Sequence, residues 1–168
     1  VSRLKIVKLD EVKGLAEPFE VAKRDGLFSI PSHENYPADA RSHLVDAVTS
    51  VNDLEILAQV SSSPGSHEDF GVVDPEDDSL DRGAEGVGMR VTMNDSEDEI
   101  LADFIIGKQV ADESDQHFVR RAGNDHVYTV EIDPDKLSTK FEDWIERDFL
   151  KFDPVDLTEV DIDDYLLQ

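Results

Sequence analysis

The stretch VGMRVTMNDSEDEILADFIIGK, Val87 to Lys108, decides the fold class. Val87, Met89, Val91 and Met93 alternate with Gly88, Arg90, Thr92 and Asn94, and strand side chains point to opposite faces with a period of two. The pattern predicts a strand with one face in a core and the other toward water. Ile100, Ala102, Phe104 and Ile106 repeat it. The acidic run Asp95 to Glu99 between the two predicts an antiparallel hairpin whose tip lies in water. Downstream, His117 to Arg121 and His126 to Ile132 flank Gly123-Asn124, a pair that supplies positive φ at low cost. A four-stranded meander is therefore expected over this half.

Upstream, Leu4 to Leu9, Phe19 to Lys23 and Leu27 to Ile30 read as three strands, with Asp25-Gly26 as a two-residue hairpin turn. Pro37-Ala38-Asp39 predicts a helix start, and Leu44, Ala47, Val48, Val51 and Leu54 follow at helical spacing. Leu54 to Val60 reads as a strand. Ser61 to Ser66 is a polar connection toward Phe70-Gly71 and Asp74-Pro75, and Glu76 to Glu85 reads as a solvated loop. After Asp133-Pro134, the spacing of Leu137, Phe141, Trp144 and Ile145 predicts a second amphipathic helix with an apolar exit at Phe149, Leu150 and Phe152. Thr158 to Ile162 reads as a last short strand. The fold class expected is α+β: antiparallel sheets, namely an N-terminal hairpin region and a four-stranded meander, packed with two main amphipathic helices.

The chain has 168 residues, enough for one ordinary domain, so one module over 1–168 is expected, with sub-halves at 1–75 and 86–157. Forty acidic residues against 16 Lys and Arg give a formal charge of -24, which repels nucleic acid and anionic lipid and favours cationic partners or divalent ions. Without cysteine, disulfide scaffolds, thiolate metal sites and cysteine nucleophiles are excluded. No apolar run approaches the roughly 18 residues that span a bilayer. The chain opens on Val1, so it is expected to be a piece of a longer protein, and Val160-Asp161-Ile162 loosely echoes the opening Leu4 to Glu11, as a repeated module would. The first 24 residues carry six Lys or Arg against four acids, the end expected nearest a membrane if an anchor precedes it.

The order of landmarks resembles the family called domain of unknown function 4340. The matching features are Asp25-Gly26-Leu27-Phe28, Pro37-Ala38-Asp39-Ala40, Phe70-Gly71-Val72-Val73-Asp74-Pro75, Ile105-Ile106-Gly107-Lys108, Phe118-Val119-Arg120-Arg121-Ala122-Gly123, Val127-Tyr128 and Phe149-Leu150-Lys151-Phe152-Asp153. The resemblance covers nearly the whole chain, with Phe28 where the family often has Trp. It implies a bacterial module, often repeated, behind an N-terminal membrane anchor on the extracytoplasmic face. Such modules are encoded near auxiliary proteins of ABC-type transport and gliding motility. It carries over no catalytic residues.

The residues with chemistry to offer are scattered. His33, His43, His67, His117 and His126 lack the helical two-His spacing of zinc proteases. His117 and His126 are candidates for neighbouring strands, where a carboxylate would complete a metal site, but a pair of surface histidines flanking a hairpin is the more frequent explanation. Ser66-His67-Glu68-Asp69 holds triad residue types side by side, where adjacent side chains point apart, so it reads as a loop or helix cap. Gly83, Gly86 and Gly88 precede a strand rather than the helix N-terminus a phosphate needs, and read as a flexible loop with a bulge. The clusters Asp77 to Asp81, Asp95 to Glu99, Asp112 to Asp115 and Asp161 to Asp164 lack EF-hand spacing and read as solvated turns. Arg120 and Arg121 should face opposite sides of their strand, one pairing with acids inside the fold.

No catalytic, cofactor-binding or metal-ligating residue is assigned, and no cofactor is expected. The expected function is a non-enzymatic binding or scaffold module of an extracytoplasmic, membrane-linked assembly, auxiliary to an ABC-type transport system. Its partners would be proteins, transporter components among them, with no nucleic acid and no membrane contact except through an anchor outside this chain. The alternatives are a calcium-binding acidic module and a hydrolase with a dispersed site.

Overall fold

The computed structural model describes residues 1–145 apart from 11, 12, 39, 40, 53 and 82. The apolar exit at Phe149 to Phe152, the strand at Thr158 to Ile162 and the cluster Asp161 to Asp164 lie outside the described residues.

The strands are β1 (Arg3–Asp10), β2 (Leu15–Arg24), β3 (Leu27–Ile30), β4 (Tyr36–Pro37), β5 (Ile56–Ser61), β6 (Met89–Asn94), β7 (Ile100–Gln109), β8 (Gln116–Arg121) and β9 (Val127–Glu131). They form one antiparallel sheet in the order β4-β3-β2-β1-β6-β7-β8-β9-β5. Separate N-terminal and meander sheets were the expectation, and β1 overturns it by pairing with β2 on one side and β6 on the other. Leu4 opposes Met93 and Ile6 opposes Val91, so the apolar positions of both strands fall on one face. Joining the halves also removes two exposed strand edges.

Local chemistry behaves as the sequence suggests at the first hairpin. Asp25 and Gly26 both have positive φ, 50° and 86°, the geometry of the two-residue turn whose twist matches its strands. The helix α1 (Arg41–Asn52) lays Leu44 and Ala47 into the core, with Val48 and Val51 half-buried beside them. A second, single-turn helix α2 (His67–Phe70) follows a 3-10 turn at Pro64–Ser66.

The predicted C-terminal amphipathic helix is corrected among the described residues to two 3-10 turns, Pro134–Lys136 and Phe141–Asp143. Side chains compete with helical hydrogen bonding here. Asp133 accepts from the Asp135 amide, and the Ser138 hydroxyl accepts from the Lys140 amide while donating to Asp143. Leu137 and Trp144 nevertheless reach the core, and Trp144 donates its indole N–H to the Ser138 carbonyl at 2.9 Å. The result is a mixed but largely β fold.

The main core lies on one face of the sheet. Leu4, Ile6, Val91, Met93, Phe104 and Ile106 meet Leu44, Ala47 and Trp144 there. Trp144 is fully buried with its ring 5.7 Å from that of Phe19, and Phe141 stacks on His33 at 4.4 Å. Trp144→Ala should therefore cost about 3 to 5 kcal/mol, read as a lowered midpoint in urea denaturation. An unchanged midpoint would remove Trp144 from the core.

Candidate functional site

The sheet's other face carries a second, smaller cluster of Val72, Ile105 and Val127, with Phe70 and Phe118 packed against it. It exists because the segment from α2 to Asp74 lies across the strands as a strap. Val73 pairs in parallel with Val87, through Val73 N–H to the Gly86 carbonyl at 3.0 Å and Gly88 N–H to the Val73 carbonyl at 2.9 Å. Two positions under the strap carry no side chain: a methyl group at Gly88 or at Gly107 would come within 2.8 Å of the Gly71 carbonyl oxygen. Glycine is required at both because backbone approaches backbone there.

Charge fastens the strap from two sides. Arg90 grips Asp103 with two hydrogen bonds, 2.9 and 2.8 Å, and reaches Asp74 at 3.0 Å. The Asp103 hydrogen bonds, with the nearby Asp74 and Glu76 carboxylates, raise the Arg90 pKa against the opposing effect of burial. Lys5 adds an ion pair to Glu76. Arg120 is buried and donates to the Val72 carbonyl at 3.0 Å and the Asn124 carbonyl at 2.9 Å. Burial lowers its pKa, with Asp74 and Asp125 opposing. One arginine of the pair enters the fold as expected, but its hydrogen-bond acceptors are backbone carbonyls rather than the expected acids, while Arg121 is exposed.

Two grooves open at the end of the sheet and share His117. One, about 750 Å³, lies between the end of β1, the facing ends of β6 and β7, and the 134–143 segment, with Lys8, Lys108 and Lys140 on its walls. The other, about 830 Å³, is lined by Asp46 of α1 together with Asp115, Glu131, Asp133 and Asp135. His117 Nδ1 is buried without a hydrogen-bond partner. Burial lowers the imidazole pKa more than the Ile132 backbone and the Asp133 and Asp135 carboxylates raise it, so the neutral ring is favoured.

The other sequence candidates are dispersed. His117 faces Val130 across the β8–β9 ladder, whereas His126 sits at the turn end and contacts Asn124 at 2.7 Å, so antiparallel pairing separates the two histidines. His33 stacks on Phe141, and His43 lies 5.6 Å from the Trp144 ring. Ser66 Oγ contacts Ser61 Oγ at 2.6 Å and donates to the Ser63 carbonyl, while His67 Nε2 contacts the Asp125 carbonyl oxygen at 3.1 Å. Asp77 accepts from the Ser79 amide and hydroxyl, which lowers its pKa, and Asp95 accepts from the amides of Glu97 and Glu99. These acids are engaged in local turns. Among the described residues no group of three His, Asp or Glu is placed to hold a metal ion, and no helix is long and apolar enough to cross a membrane.

The strap and the lysine-lined groove are absent from the residue-by-residue sequence reading. Their signal is present, however: Gly88 and Gly107 interrupt strand patterns, and isolated strand glycines mark close backbone approach.

Residues 29–166 match the model of the family described as Domain of unknown function (DUF4340). No curated protein and no solved structure matches the chain.

The lowered His117 pKa gives a signed expectation for stability. The unfolded chain takes up this proton first as pH falls, so the contribution is complete above the ordinary value of 6.5 and is lost as pH drops through the lower value held in the fold. Denaturation midpoints of the native protein and His117→Phe, followed downward from neutral pH, should therefore converge or cross in favour of the variant. A constant difference at every pH would show that burial of this imidazole does not couple protonation to folding.

Proposed function

We propose, for a chain that belongs to the domain of unknown function 4340 family, the role of a non-enzymatic binding and scaffold module in a membrane-linked assembly on the extracytoplasmic face of a bacterial membrane. The partner we assign is a subunit of an ABC-type transport system. The family's usual setting supports the location and the partner class.

The observation that carries a protein-binding role is the edge strand β5. It ends the sheet beside β9, leaving its other edge unpaired among the described residues. Ile56, Leu57 and Val60 are all exposed, at 61%, 43% and 40%. Strand alternation places apolar side chains on both faces of this edge. An apolar, open edge is a hazard that folded proteins ordinarily blunt with charge or a bulge, and it is also the template used in strand-addition complexes. β5 carries two register shifts against β9, but charge of the kind that blunts an edge is missing from it. No Lys or Arg occurs between Ile56 and Ser61.

The test is affinity purification of the full-length protein from gently solubilised membranes, in native form and with Leu57→Lys and Val60→Lys together. Recovery of transporter subunits by the native protein and their loss with the double variant are expected. Exposed substitutions of this kind change stability by only about 0.5 kcal/mol, so the variant should fold. Recovery of the native protein alone from the soluble fraction would contradict the assignment.

A further inference from the structure

The groove of about 750 Å³ at the end of the sheet reverses the sign of the molecule around it. Acids outnumber Lys and Arg by 40 to 16 in the whole chain, yet among the described residues Lys8, Lys108 and Lys140 line this groove with only Asp135 and Asp143 opposing them. None of the three lysines forms an ion pair among the described residues.

Each lysine is placed by a different part of the fold. Lys8 stands opposite Glu17 across the β1–β2 ladder, but Glu17 is engaged by Lys13 at 2.5 Å. Lys108 sits within the irregularity between β7 and β8 and donates to the carbonyls of Glu68 and Asp69 at 3.2 and 2.9 Å. Those acceptors are neutral, and no carboxylate lies within ion-pair distance of Lys108 among the described residues. Lys140 is held at the backbone, where its amide donates to the Ser138 hydroxyl. Asp143 accepts from the same hydroxyl, and Asp135 also lines the neighbouring acidic groove.

Distance decides between the local and the global charge. Screening at physiological ionic strength acts over about 8 Å, so a small ligand inside the groove responds to these near groups more than to carboxylates elsewhere on the surface. The walls also include Leu9, Val87, Met89 and Leu137. Apolar walls with a few placed charges are the usual composition of a small-molecule site, and the volume falls within the customary range of about 300 to 1,000 Å³.

We propose that this groove binds a small phosphate monoester with an apolar body, its phosphate among Lys8, Lys108 and Lys140 and its apolar part against Leu9 and Met89. A phosphate monoester presents three strong acceptor oxygens, one for each of the three lysines, where a carboxylate presents two. The inference is independent of the strand-addition role, since β5 contributes no residue to the groove.

The experiment is calorimetric titration of the full chain at physiological ionic strength, where distant carboxylates are screened, with hexyl phosphate, beside inorganic phosphate and uncharged hexyl glucoside. Saturable binding of hexyl phosphate is expected, weaker binding of inorganic phosphate, and none of the glucoside. Lys8→Gln with Lys140→Gln should weaken hexyl phosphate binding about tenfold or more, because charge-assisted contacts are lost. Both side chains are exposed, and an unchanged denaturation midpoint would confirm that the variant is folded. Absence of saturable binding, equal binding by the double variant, or binding only to phosphatidic acid vesicles would each overturn the proposal.

Discussion

The pairing of β1 with β6 is the constraint on which the remainder depends. Without it the strands would fall into one group of β4, β3, β2 and β1 and another of β6, β7, β8, β9 and β5. The ladder runs from Arg3 opposite Asn94 to Val7 opposite Arg90. Its register is fixed by burial: a slip of one residue would turn Leu4 and Ile6 out of the core and bring Lys5 in. One face of the joined sheet can then be covered by α1 and the Trp144 segment together. The same pairing brings the end of β1, with Lys8, beside the β6–β7 end of the groove.

The opposite face depends on a second kind of constraint, close approach without side chains. Gly88 and Gly107 leave room for the strap's backbone, and Arg90 and Arg120 bind its carboxylate and carbonyl groups. A half-buried guanidinium with bidentate geometry is a different matter from the exposed pairs elsewhere on the molecule, such as Lys13 with Glu17. Exposed pairs of that sort contribute about 0 to 1 kcal/mol each. Loss of one partner of Arg90 would leave charge unpaired in a poorly solvated place, which is the costly case. The strap also buries Val72 completely, so the sheet is covered on both sides at its centre.

Much of this was legible in the sequence where the information is local. Period-two alternation located β6 and β7, the Asp25-Gly26 pair located its hairpin, and helical spacing located α1. Spacing failed at Leu137 to Ile145, because Ser138 and Asp133 divert backbone hydrogen bonds into turns while the apolar residues still reach the core. Non-local features were harder to see. The union of β1 with β6 joins residues about ninety positions apart, and nothing in either strand alone specifies the partner. The groove draws on six separate segments, so its lysines look like ordinary solvated charges along the chain. Of the histidines, only His117 lines the grooves at the end of the sheet, and its distinguishing property is burial, which a sequence does not display.

The central claim is that one cooperative sheet organises the described residues and thereby the groove and the open β5 edge. Native-state hydrogen exchange resolved by residue, across a series of low denaturant concentrations, tests it most directly. The account predicts that hydrogen-bonded amides of β1, β6 and β7 exchange through a single opening whose free energy equals that of global unfolding. Exchange of β1 to β4 through a lower-energy opening, with β6 to β9 still protected, would contradict it and show two units that merely touch.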